Sequence, residues 1–124
     1  MSVLWVCLGA ALGAGVRQLA NLALAPRPGR RHDVPPIPRA TLLVNLVGSL
    51  ILGVLVGADP ASARLTLALG IGFCGALTTW SSLSYEVLDV ARRRGLAVAT
   101  GLLTASLLTG VLAAAIGFGI GQAL

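Results

Sequence analysis

Long stretches of apolar residues dominate this sequence, and four of them are long enough to cross a lipid bilayer. A helix rises about 1.5 Å per residue, so about 20 residues cross the ~30 Å hydrocarbon core. The pattern predicts helices over residues 3–24, 40–58, 65–90 and 96–123. It therefore predicts an all-α integral membrane protein in which residues 1–124 form a single four-helix transmembrane domain.

The composition excludes a sizeable soluble domain. Hydrophobic residues make up 56% of the chain and charged residues only 10%, whereas soluble domains are about 25% charged. The net charge is +5, but the arginines lie in short clusters between apolar stretches, without a separate basic domain. We therefore attribute the charge to membrane orientation and expect no nucleic acid partner.

The distribution of arginines predicts one fixed orientation in the membrane. In a four-helix topology the first and third loops share one side of the membrane, and Arg64 is the lone arginine on the other side. Seven arginines lie on the first side: Arg27, Arg30, Arg31, Arg39, Arg92, Arg93 and Arg94. Because positively charged loops stay cytoplasmic, we expect both termini outside.

Small residues recur at helical spacing, as they do where helices pack closely in lipid. The pairs are Gly9 with Gly13, Ser49 with Gly53, Gly53 with Gly57, and Gly117 with Gly121. Four thin helices enclose little space. A permeation path is therefore expected to need a dimer or a larger assembly.

The third hydrophobic segment is predicted to be a helix broken near its middle. Three glycines fall within residues 70–75, and five hydroxyl residues follow within residues 78–84. Irregular backbone at membrane depth is tolerated where it is buried in protein or lines a cavity. From the residues alone, pore lining and simple helix packing are both open interpretations of this segment.

Three further polar residues lie in or near the apolar segments. Asn45 is either an interhelical hydrogen-bonding residue or a donor to a passing anion. Arg17 either extends its side chain to the cytoplasmic interface or attracts anions to a vestibule. Glu86 follows the hydroxyl run, where it could pair with an arginine or cap a helix end.

Three segments resemble the Fluc/CrcB family of fluoride channels. They are residues 13–17 (GAGVR), 41–49 (TLLVNLVGS) and 72–86 (GFCGALTTWSSLSYE), and the resemblance extends over nearly the whole chain. It implies an antiparallel dimer of four-helix subunits in which two fluoride pathways follow the subunit interface. It also implies passive export of cytoplasmic fluoride across the plasma membrane.

The resemblance also implies roles for individual residues. A structural sodium ion would be held by the backbone carbonyls of Gly75 and Thr78, and Asn45 would donate to fluoride. Glu86 matches an acidic position near the pore. The polar track of the pathway would include Ser81, Ser82, Ser84 and, from the fourth helix, Ser106.

The sequence departs from the family at two aromatic positions. Where the family places two phenylalanines whose ring edges face the anion, this chain has Trp80 and Leu83. Trp80 keeps an aromatic edge, whereas Leu83 has none. Since the arginine bias also fixes one orientation, we hypothesise that this chain pairs with an oppositely oriented paralogue, a homodimer being the alternative.

Two other functions remain open on the sequence. A non-conducting subunit that stabilises its partner would explain Leu83. A proton-coupled multidrug transporter would share the four-helix size, but it needs an ionisable group deep in the membrane. The carboxylates, by contrast, lie in predicted loops or near helix ends. An enzyme is not expected, because the sequence shows no nucleophile–base pair or metal-ligand cluster.

Overall fold

The computed structural model describes residues 2–24, 38–60 and 62–124. Helix α1 covers Ser2–Ala23, α2 covers Arg39–Ala58 and α6 covers Leu96–Gln122. The third span, Ala63–Arg94, is divided. Its parts are the short α3 (Ala63–Leu65), a π-helical segment π1 (Thr66–Cys74), the short α4 (Gly75–Leu77) and α5 (Trp80–Arg94).

The described chain contains four helical spans that are long and apolar enough to cross a membrane. The all-α four-span fold and the broken third helix are therefore confirmed. The third span begins before residue 65 and continues past residue 90, to Arg94. Arg27, Arg30 and Arg31, on which the predicted orientation partly depends, lie outside the described residues.

Two backbone positions with positive φ separate the spans. Helix α2 is capped at its C-terminus by Asp59, which takes the left-handed conformation at φ 41° and ψ 58°. Gly95, at φ 92°, is the single residue between α5 and α6. A glycine adopts this conformation without the steric cost that a Cβ would bring, so the chain can reverse direction within one residue.

The helical spans pack directly against one another. Helix α1 lies against π1 and α4, while α6 lies against both α2 and α5. Small residues bring the backbones together, as their spacing predicted. A Cβ added to Gly9 would overlap the carbonyl of Ala68, and one added to Gly53 would overlap the carbonyl of Ala114. Close backbone approach is the main source of helix association where lipid removes the hydrophobic driving force.

Most large apolar side chains point away from the bundle. Leu12, Val111 and Ile116 are each 60% exposed or more, whereas the buried apolar core is small and includes Val44, Leu77, Leu83 and Ala99. A water-soluble protein rarely exposes apolar patches of this extent. These side chains therefore face lipid or another protein subunit.

The close contact between α2 and α6 predicts a difference between two glycines of the same helix. A Cβ added to Gly117 would overlap the carbonyl of Leu50, whereas one added to Gly119 meets no atom within 4 Å. We expect Gly117→Ala to lower the free energy of unfolding by about 1–3 kcal/mol, since overpacking forces the helices apart. Gly119→Ala is the matched control and should change it little or raise it. Equal losses for both variants, measured by denaturation in detergent micelles, would contradict this packing.

Candidate functional site at the broken helix

The third span loses its helical conformation at two consecutive residues. Thr78, at φ −76° and ψ 152°, and Thr79, at φ −148° and ψ 118°, are both extended. Helix α4 ends before them, at Leu77, and α5 begins after them, at Trp80. Such a break frees backbone N–H and C=O groups, and the hydrocarbon core offers them no water.

The side chain of Asn45 on α2 pairs with the backbone at this break. Its Oδ1 accepts the Thr79 N–H at 2.8 Å, and its Nδ2 donates to the Thr79 carbonyl at 3.3 Å. Gly48 allows this close approach, because a Cβ at that position would overlap the Thr78 side chain. The interhelical hydrogen bond considered for Asn45 is therefore present, and it uses one of the two amide N–H donors.

The hydroxyl of Thr79 caps the second half of the broken helix. Its Oγ1 accepts the Ser82 N–H at 3.2 Å and donates to Ser82 Oγ at 3.2 Å. It also lies 3.1 Å from Ser81 Oγ. A side-chain oxygen that accepts from the third residue of a helix satisfies one of the donors left free at the N-terminus. Ser81 and Ser82 therefore belong to the cap of α5.

The same interactions leave two carbonyls without their usual helical donors. In a continuous helix the Gly75 carbonyl would accept the Thr79 N–H, which here donates to Asn45. The Thr78 carbonyl would accept the Ser82 N–H, which here donates to Thr79 Oγ1. Unwound carbonyls in discontinuous membrane helices are typical ligands of sodium. The geometry of Gly75 and Thr78 therefore suits a cation of this kind.

A groove of about 510 Å³ opens beside the break, between α2, π1, α5 and α6. It brings together six of the residues that the sequence singled out: Asn45, Gly75, Thr78, Trp80, Leu83 and Ser106. The Trp80 side chain is 63% exposed, whereas Leu83 is 4% exposed. In the single chain the groove is therefore polar at the break, and the Trp80 ring that lines it is exposed.

Other predicted residues lie outside this groove. Ser84 is exposed, and its hydroxyl donates to the Trp80 carbonyl at 2.9 Å. Arg17 is half-buried on α1, and it forms no hydrogen bond or ion pair with any residue that the structure describes. The groove of the single chain therefore contains only part of the predicted polar track.

Among the residues that the structure describes, Glu86 pairs with a threonine and with no arginine or helix end. The Thr41 hydroxyl donates to Glu86 Oε1 at 2.7 Å. The other carboxylate oxygen, Oε2, is buried and has no hydrogen-bond partner within residues 2–24, 38–60 and 62–124. A buried carboxylate oxygen without a donor is costly. Glu86 Oε2 is therefore left without a donor among the described residues.

Three residues of this region were not predicted as site residues. Thr79 belongs to the hydroxyl run, but nothing in the run distinguishes it from its neighbours. Thr41 meets Glu86 across 45 positions of sequence, which no local pattern reveals. Ser49 lines the groove, and its sequence signals were its small size at helical spacing and its place at the end of the 41–49 motif.

The fold and the site define a multi-pass membrane protein built around a discontinuous helix that borders a partly polar groove. The family model described as CrcB-like protein, camphor resistance (CrcB), matches residues 4–118. The chain belongs to this family, as its three motifs predicted.

Several relatives match over nearly their full length. A protein of Rhodococcus jostii named fluoride-specific ion channel FluC 2 is 42% identical, with 95% of this chain and 96% of that protein covered. A protein of the same name from Cutibacterium acnes is 38% identical over 98% of both chains. Fluoride-specific ion channel FluC 1 of Streptomyces avermitilis is 39% identical, with 100% of this chain and 98% of that protein covered.

The pairing of Asn45 with Thr79 predicts a structural cost for removing the amide. Asn45→Ala would leave the Thr79 N–H without an acceptor at membrane depth, so we expect the free energy of unfolding to fall by about 1–3 kcal/mol. Ser106→Ala is the matched control. Its hydroxyl donates to the Leu102 carbonyl of its own helix at 2.8 Å, so its loss leaves no donor unpaired. Equal stability of the two variants in a detergent denaturation experiment would show that the amide does not stabilise the break.

Proposed function

We propose that this chain is a subunit of a fluoride channel that lets cytoplasmic fluoride leave passively across the plasma membrane. The names of the relatives support the ion. The observation that carries the proposal is the groove at the broken helix, where Asn45 retains an N–H beyond the one that it donates to Thr79. Fluoride is small and strongly hydrated, so it needs such donors when it loses water.

The second subunit completes the pathway in this proposal. The groove is open on one side, and Trp80 at its edge is largely exposed, as expected of residues that a partner covers. The resemblance noted above supports an antiparallel arrangement of two four-helix subunits. With both termini outside, as the arginine bias favours, the partner is a paralogue of opposite orientation.

The carbonyls of Gly75 and Thr78 are proposed to hold a structural sodium ion. Both have lost their helical donors to Asn45 and Thr79, which is the feature that supports this role. When bound, sodium would supply a fixed positive charge beside these carbonyls. The exposed position of Gly75 leaves room for equivalent carbonyls from the partner.

A non-conducting role is the second candidate. Leu83 is buried at the position where the family resemblance leads one to expect phenylalanine, and an alkyl side chain offers no positive ring edge to an anion. In that case the partner subunit alone would provide the conducting groups, and this chain would stabilise the dimer.

Fluoride efflux from liposomes tests the proposal and separates the two candidates. The assembled channel should release fluoride, and Asn45→Asp should reduce the rate by at least about tenfold, since a carboxylate replaces the amide donor and repels the anion. Thr100→Val is the matched control, because that hydroxyl is exposed on α6 and donates to its own helix. Unchanged efflux in Asn45→Asp would favour the non-conducting role. A wild-type assembly that carries no fluoride would refute the channel.

The predicted orientation implies that the chain does not work alone. Expressed without a paralogue and reconstituted into liposomes, it should give efflux close to that of protein-free vesicles, because identical insertion leaves no antiparallel partner. Co-expression with a related chain of reversed arginine bias should restore efflux. Robust efflux from the single chain would instead establish a homodimer.

A further inference from the structure

Helix α2 presents a row of three polar side chains, one turn apart, towards the third span and the groove. The row consists of Thr41, Asn45 and Ser49, at successive intervals of four residues. Residues four apart lie on the same helix face, separated by about 6 Å of helix rise. Thr41 pairs with Glu86, and Asn45 pairs with Thr79. Ser49 is the third member, and its hydroxyl has no hydrogen-bond partner among the described residues.

The other hydroxyls that line the groove are already engaged as donors. Thr78 Oγ1 donates to the Cys74 carbonyl at 2.9 Å, and Ser106 Oγ donates to the Leu102 carbonyl at 2.8 Å. Thr79 Oγ1 donates to Ser82 Oγ. A hydroxyl has one proton to donate, so an anion could bind these groups only after an existing bond breaks. Ser49 carries no such cost.

The surroundings of Ser49 leave space beside its hydroxyl. Gly110 on α6 faces Ser49, and a Cβ added to it would lie 3.7 Å from Ser49 Oγ. Both residues line the groove that also contains Asn45. Ser49 therefore lines the same groove as Asn45, one helical turn further along α2.

We propose that Ser49 is a second anion-binding donor of the permeation path and acts directly after Asn45. A fluoride ion that leaves the Asn45 amide accepts a hydrogen bond from the Ser49 hydroxyl before the apolar part of the groove begins at Leu52. Two donors about 6 Å apart allow the ion to exchange one hydrogen bond for the next, as conduction through successive weak sites requires. This inference rests on the proposed channel function.

Fluoride efflux from liposomes tests the role of Ser49 in the assembly, homodimer or heterodimer, that conducts. Ser49→Ala should reduce efflux by about tenfold, which corresponds to about 1.4 kcal/mol at the barrier. Thr100→Val is again the control, since it removes a hydroxyl outside the groove. Gel filtration and thermal denaturation establish that each variant assembles as the wild type does.

The outcomes separate this inference from the function on which it rests. If the wild type conducts and Ser49→Ala efflux is within twofold of the wild-type rate, the role of Ser49 is overturned and the proposed channel function is retained. A wild type that carries no fluoride would overturn both. If Ser49→Ala does not assemble, Gly110→Ala decides, because its methyl group would fill the space beside the hydroxyl. We expect that variant to lose at least about fivefold in efflux, whereas unchanged efflux would overturn the proposal.

Discussion

The hydrogen bonds between the Asn45 amide and the backbone of Thr79 are the interaction on which the site depends. A helix interrupted at membrane depth exposes polar backbone groups that lipid cannot satisfy. Asn45 accepts the Thr79 N–H at 2.8 Å and donates to its carbonyl at 3.3 Å. One side chain from a neighbouring helix therefore stabilises a backbone conformation that would otherwise be unfavourable within the bilayer.

That interaction depends in turn on how closely the spans approach. Gly48 leaves room for the Thr78 side chain, so α2 can reach the break. Gly53 and Gly117 hold α2 and α6 at backbone contact, which fixes the opposite wall of the groove. In lipid, close packing of small residues takes the role that apolar burial has in water. Helix packing and site geometry are thus determined by the same contacts.

In the proposed channel, the diverted hydrogen bonds would allow one short segment to suit ions of both signs. When the Thr79 and Ser82 N–H groups turn to side-chain acceptors, the Gly75 and Thr78 carbonyls become free to face a cation. The donors of Asn45 and Ser49 lie nearby on α2, along the same groove. Acceptors and donors are therefore separated onto different helices, so a cation and an anion need not compete for the same groups.

The sequence by itself determined the four spans, the family and the break in the third helix. Apolar stretches of about 20 residues have one stable arrangement in a bilayer, and the glycine cluster followed by hydroxyls marks where a helix weakens. These are local properties, which neighbouring residues are sufficient to define.

The tertiary structure alone decided which polar groups meet. Asn45 finds Thr79 across 34 positions, and Thr41 finds Glu86 across 45. Ser49 and Ser106 both lie within apolar helices, yet the Ser49 hydroxyl has no partner among the described residues, whereas that of Ser106 bonds to its own helix. Hydrogen-bond partners depend on distance and orientation in space, which the order of residues along the chain does not specify.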